Sequence, residues 1–249
     1  MKRQIFFVPL LDKSWNLGIT KTIFCLTLAA AVNAQSSLKI EKGVQFQLTG
    51  DTFLLDSLVM EDSAALLLDV RYKSSLVRAN YFSAGSGVSI IGIGRDGAPG
   101  SDGVDASMRG TNLAGKDGTS GSPGINLTLY FFNLSLQSQL EIDLYGGAGG
   151  DAGRGGSMTY HAATTSAERP NQAVGGNGGD GGNGGTVIIS CPSDLEKIVT
   201  DKIVINAQGG KGGKSGTPPE LKTPAWYYQY ERNGAAGRKG KVKFIYLKR

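Results

Sequence analysis

Histidine occurs once and cysteine twice in the 249 residues, with two tryptophans, four methionines and eight prolines. A single histidine, His161, excludes a histidine-based metal cluster or a nucleophile triad built around it. Cys25 lies in a leader-like segment, so a processed chain keeps Cys191 alone and forms no internal disulfide. No apolar run reaches the length that spans a bilayer. Convincing helical periodicity is absent downstream of the leader, and no carboxylate pair or Lys/Arg set recurs at a catalytic spacing. The sequence therefore implies no catalytic residue, cofactor or metal, and it argues against an enzyme such as a polysaccharide lyase.

The start of the chain is basic, with Lys2, Arg3, Lys13 and Lys21 ahead of an apolar run from Thr22 to Val32. Small residues at Val32 and Ala34 match an export-signal cleavage site between Ala34 and Gln35. The alternative is a buried strand or helix of the fold. Cleavage would remove four cations and Asp12, leaving 22 basic against 20 acidic residues. The basic pI then gives no reason to expect nucleic acid as a partner. The expectation is an exported chain, secreted or at the cell surface (periplasmic or outer-surface in a Gram-negative host), with no membrane span after processing.

Residues 35–93 read as a β-region of short strands. Val44, Phe46 and Leu48 alternate with Gln45 and Gln47, and apolar runs at Leu54–Leu55, Leu58–Met60, Leu66–Val70 and Val88–Ile93 follow between polar breaks. Short parallel coils of a β-solenoid and a small antiparallel sandwich both fit this pattern.

Glycine is what the chain has in excess: 32 of its 38 glycines lie between Gly94 and Gly240. The run Gly175–Gly185 reads GGNGGDGGNGG, a period of three that belongs to neither helix nor strand. It fits the extended left-handed helix with three residues per turn, whose bare faces let backbones approach closely. Six such runs occur in pairs, separated by inserts at 104–114, 157–174 and 217–233, with strand patterns at both ends of each pair. The expected fold class is therefore all-β, a short-strand solenoid or sandwich carrying six glycine helices as three hairpins in residues 94–249. The GGx runs would be inner and the Gxx runs outer. A flexible linker and a collagen-like triplet are the competing readings.

Strand-anchored runs of this kind resemble polyglycine-II bundle proteins, among them the receptor-binding adhesins at the tail-fibre tips of some phages and the glycine-rich extracellular domain of anaplastic-lymphoma-kinase-type receptors. The resemblance covers Gly94 to Gly240 and is one of pattern. In the phage adhesins the distal loops contact the receptor, which would implicate the three inserts here. Springtail antifreeze proteins are also similar, but Arg95, Asp96, Lys116, Asp117, Arg154 and Lys211 are long or charged where those proteins present a flat face of small residues.

Two motifs resemble nucleotide-binding loops. Gly92–Gly97 matches GxGxxG, and 208–215 nearly matches a P-loop, but Pro99 and the pair Pro218-Pro219 stand where a helix must begin. Two sequons, at Asn126 and Asn133, fall in strand patterns. The remaining cluster is aromatic: Trp226, Tyr227, Tyr228 and Tyr230 in the third insert, with Tyr160 and His161 in the second. Aromatic side chains with a polar tip suit contact surfaces. The expectation is non-enzymatic adhesion to a glycan or surface protein through these residues. The alternative is a structural spacer or matrix component without a specific ligand. Nothing in the sequence indicates the oligomeric state.

Overall fold

The computed structural model describes residues 23–25, 37–104, 114–156, 174–217 and 232–248. Strands β1 (Ile23–Cys25), β3 (Gln45–Gln47), β5 (Ala65–Leu67), β7 (Val88–Ile91), β9 (Leu140–Asp143) and β11 (Ile203–Asn206) form one sheet in that order. The second sheet runs β12 (Val242–Leu247), β10 (Val187–Pro192), β8 (Asn126–Leu136), β6 (Ser74–Ala84), β4 (Thr52–Met60), β2 (Ser37–Ile40). Each strand pairs in parallel with the strand two elements further on. The chain thus winds back and forth between the sheets, and the inward side chains of both form one core. β1 lies inside the segment read as a leader, with Phe24 beside Phe46 of β3.

Alternation explains which residues face inward. In β4, Phe53, Leu55, Leu58 and Met60 are buried, and a phase slip leaves Asp56 and Ser57 both outside. Asn80 and Tyr81 of β6, and Phe132 and Asn133 of β8, make the same slip beside them. The strands therefore bend together, and Asn80 Nδ2 donates to Asp56 Oδ1 across the bend at 3.2 Å. What reads in sequence as two short strands, Leu54–Leu55 and Leu58–Met60, is one bent strand.

The architecture corrects the expected all-β class. It is an α/β-type arrangement of two parallel sheets with one short α-helix among the described residues, and it contains no bundle of six helices. The antiparallel sandwich also fails, since every strand pairing among the described residues is parallel. Helix α1 (Glu196–Lys202) carries the chain from β10 to β11 after a 3-10 turn, Ser193–Leu195. Leu195 and Val199, four residues apart, turn into the core, and seven residues are too few to register as sequence periodicity. The glycine segments form no internally hydrogen-bonded helix, because their backbone bonds run between segments rather than within them.

On one side of the winding, short turns join β3 to β4 and β5 to β6. In the turn at 68–73, Asp69 is 2% exposed and is gripped by Arg71, whose Nε donates to Oδ1 at 2.9 Å and whose Nη2 donates to Oδ2 at 2.6 Å. The Arg71 hydrogen bond holds the carboxyl below its ordinary value of 3.8, against the opposing effect of burial. A depressed carboxyl pKa stabilises the fold above the unfolded value, and that contribution disappears as pH falls through the folded one. Asp69→Asn is accordingly expected to cost about 1–2 kcal/mol at neutral pH. Urea titrations at successive pH values should show this difference closing below pH 3.8.

Candidate functional site

The next three crossings on that side are the glycine excursions. Each leaves the first sheet, runs outward, and returns to the second sheet. The outgoing segments 92–104, 144–156 and 207–217 lie in one row: Gly94, Gly97, Gly100 and Gly103 donate to Tyr145, Ala148, Asp151 and Arg154, and Gly146 and Gly149 to Gln208 and Lys211. The returning segments 114–125, 174–185 and 232–241 form a second row, with Gly118 donating to Asn177 and Gly181 to Ala235. Bonds also stitch the rows together, as in Gly150 to Thr119, Gly179 to Gly150, Gly213 to Gly179 and Gly237 to Gly210. The amides of Gly176, Gly179 and Gly182 donate to the carbonyls of Gly153, Gly150 and Gly147.

Glycine is required here by close approach. A Cβ on Gly179 would run into the Thr119 carbonyl, and one on Gly150 into the Ala98 carbonyl. The bonding follows the division into inner GGx and outer Gxx runs except at 114–125. This Gxx segment is bonded to 92–104, 144–156 and 174–185, as many neighbours as the GGx segment 207–217 has in 144–156, 174–185 and 232–241. Gxx suffices for 114–125 because its other side chains serve the edge: Ser122 Oγ accepts from the Arg95 amide and Thr119 Oγ1 from the Ala98 amide, both at 2.6 Å.

The sequence reading overlooked what the third residue of each triplet does. Asn177, Asp180 and Asn183 accept the backbone N–H groups of Arg232, Ala235 and Arg238 at 2.9, 2.8 and 2.8 Å. Asp96, Asp102, Asp117 and Asp151 serve Ala148, Arg154, Asn177 and Lys214 in the same way, at 2.6–2.7 Å. A short side chain ending in an oxygen reaches the amide that the backbone pattern leaves over. The signal was present in GGNGGDGGNGG as the restriction of the variable position to Asn and Asp. Asp180→Ala should therefore cost about 1 kcal/mol and speed exchange of the Ala235 amide selectively. Unchanged exchange at Ala235 would remove the role assigned to the side chain.

The far ends of the segments carry the inserts. A rise of about 3.1 Å per residue puts Gly155 about 30 Å beyond Tyr145. There Gly103 donates to Arg154 at 2.7 Å, Gly115 to Val174 at 2.9 Å, Gly155 to Thr217 at 3.0 Å and Gly178 to Arg232 at 2.9 Å. The roots of all three inserts are thus held by one set of adjoining bonds, away from both sheets. Tyr160 and His161 lie in 157–173, and Trp226, Tyr227, Tyr228 and Tyr230 in 218–231, all outside the described residues. Ala34 and Gln35 are outside them as well. The structure places the roots of the aromatic inserts side by side, and the aromatic residues themselves are not among those it describes.

Comparison with family models, curated proteins and solved structures returns no match. The site must be judged on its chemistry alone. Both nucleotide-like motifs are extended segments in which several amides are already committed: Gly94 and Gly97 to Tyr145 and Ala148, Gly210 and Gly213 to Gly182 and Gly179. Neither loop can cradle a phosphate with those groups. Among the described residues no cluster of three His, Cys, Asp or Glu side chains is placed to hold a metal. Cys191 is fully buried, and burial first, then Asp194 and Glu196, push its thiol up to about 11, so it is no nucleophile in the native state. On the opposite side of the winding, an open groove is lined by Ser138, Glu141, Asp201 and Lys202. The Lys202 ammonium there donates to the Leu136 carbonyl at 2.8 Å.

Proposed function

We propose that this is an exported, non-enzymatic binding protein of the cell surface or extracellular space, which engages a glycan or surface protein through the three inserts. The observation that supports this most is the convergence of the insert roots at one end of the glycine layer, where Gly103, Gly115, Gly155 and Gly178 share adjoining bonds. A cross-bonded base fixes where the loops start relative to one another, which removes part of the ordering cost of binding. The aromatic composition of the third insert supplies the contact chemistry: Trp226, Tyr227, Tyr228 and Tyr230 together, with Tyr160 and His161 in the neighbouring insert.

The test is simultaneous replacement of Trp226, Tyr227 and Tyr228 by Ser, assayed on host cells and on a glycan array. Binding should fall by about 100-fold while the unfolding midpoint stays unchanged, since hot-spot aromatics carry most of an interface's energy. Equal binding by variant and wild type would end the tip hypothesis. A second reading, a spacer or matrix component, draws support from the way the glycine layer bonds to itself without the inserts. That reading gains if the folded wild type binds neither cells nor array. Export is tested separately by N-terminal sequencing of the mature protein, with Gln35 as the expected first residue.

A further inference from the structure

Strand β12 presents an edge dense in cations. Among the described residues β12 is paired on one side only, with β10. The Val187 amide donates to the Lys241 carbonyl at 2.8 Å. The alternation of a parallel ladder then turns the N–H and C=O groups of Lys243 and Ile245 toward β10, and those of Val242, Phe244 and Tyr246 toward the open side. The amides of Ala236 and Lys239, in the segment that runs into β12, correspond to Gly181 and Gly184 in the neighbouring segment of the row, and they have no backbone partner among the described residues. Hydrogen-bonding groups thus remain open from the glycine layer into the sheet.

Charge and packing specify what this edge can accept. Arg238, Lys239, Lys241, Lys243 and Lys248 are all exposed, none makes an ion pair among the described residues, and the chain from Asn233 to Lys248 contains no Asp or Glu. Cations on an edge strand oppose self-pairing, so β12 against β12 of a second copy is disfavoured. A second copy adding its own first turn would bring no glycine excursion to continue along Ala236 and Lys239. Phe244 and Tyr246 pack against the core and keep a minor part of their surface exposed, with parallel rings 6.3 Å apart. A further strand with apolar residues on its inward face would cover them. Acidic residues on its outward face would meet Lys243.

We propose that the β12 edge is a second binding site, which takes an extended acidic peptide segment of a partner protein, alternating apolar and acidic residues, as an added strand. Backbone bonds to Val242, Phe244 and Tyr246 give affinity, and the lysines select for acidic sequence. This site lies on the second sheet, at the opposite end of the glycine segments from the insert roots, and it uses no residue of the inserts.

The probe is a fluorescein-labelled peptide of four Val-Glu repeats, titrated by anisotropy against the full chain, with a Val-Lys peptide as control. The Val-Glu peptide should bind and the Val-Lys peptide should not. Binding should weaken at least about tenfold in K239E/K241E/K243E and in Val242→Pro, which removes an open amide at a first-strand position where proline is tolerated. Independently of whether that variant folds, amide exchange at Phe244 and Tyr246 of the wild type should slow by about tenfold with saturating peptide. Absence of binding overturns the proposal. So does binding without protection of those amides, which would mark a charge-only contact that heparin or polyphosphate would share. Concentration-dependent self-association that occludes the edge would assign it to a second copy and overturn the proposal as well.

Discussion

Gly150→Ala is expected to lower stability by about 3–5 kcal/mol, whereas Ala148→Ser, two residues earlier in the same triplet, should stay within about 0.5 kcal/mol of wild type. The contrast follows from where each position points. A Cβ at Gly150 would run into the Ala98 carbonyl, and backbone cannot move aside as a flexible side chain does. Gly150 also donates to Thr119 and accepts from Gly179, both at 2.9 Å, so any displacement breaks bonds to two other segments. Ala148 lies on the outer surface of its row, where its amide is accepted by Asp96 and its side chain is partly exposed. Urea unfolding of the two variants measures the difference directly. If Gly150→Ala unfolds at the wild-type midpoint, the glycine segments are not packed against one another in solution.

The second large effect concerns the sheets. Phe82 of β6 and Phe131 of β8 are fully buried, with ring centroids 6.1 Å apart and planes tilted by 52°. Phe82→Ala should cost about 3–5 kcal/mol, because it removes buried apolar area and leaves a cavity between neighbouring strands. Tyr81, the adjacent residue, is 41% exposed on the outside of the bend, and its replacement by Ala should cost about 1 kcal/mol or less. The layer and the sheets are bonded to each other through the Gly92 amide to Asp143 and the Leu144 amide to Asn206. Phe82→Ala and Gly150→Ala should therefore lower one common transition. A variant in which the glycine amides exchange freely while the strands stay protected would show that the layer opens on its own.

The legibility of the chain differs by element. Val44, Phe46 and Leu48, or Leu140 and Ile142, alternate in sequence, and in the structure they lie at or against the core. Alternation reports a face, however, and not a partner: it left parallel and antiparallel pairing equally open, and the parallel register excludes the sandwich. Helix α1 escaped notice because Leu195 and Val199 give only one repeat of helical spacing, and the helix forms because both reach the core. The bend in β4, β6 and β8 was hidden because its phase slip at Asp56–Ser57 reads as a break between strands.

For the candidate site, composition pointed to the inserts and to Trp226, Tyr227, Tyr228 and Tyr230, which lie outside the described residues. The neighbouring roots at Gly103, Gly115, Gly155 and Gly178 come from segments distant in sequence, and no local pattern announces them. The basic run from Arg238 to Lys248 was visible as composition, but its meaning depends on β12 being an edge.

From the sequence by itself, the spacing of glycine settles which positions can let another backbone come within bonding distance, since this depends only on the missing Cβ. The period-two runs likewise settle which side chains of a strand share a face. Tertiary structure alone decides which segment each glycine meets, that Asn177, Asp180 and Asn183 close the leftover amides, and that β12 is left with one side unpaired. The physical reason is that hydrogen bonds between segments far apart in the chain are fixed by how the winding stacks, a property of the whole chain that no short window of residues contains.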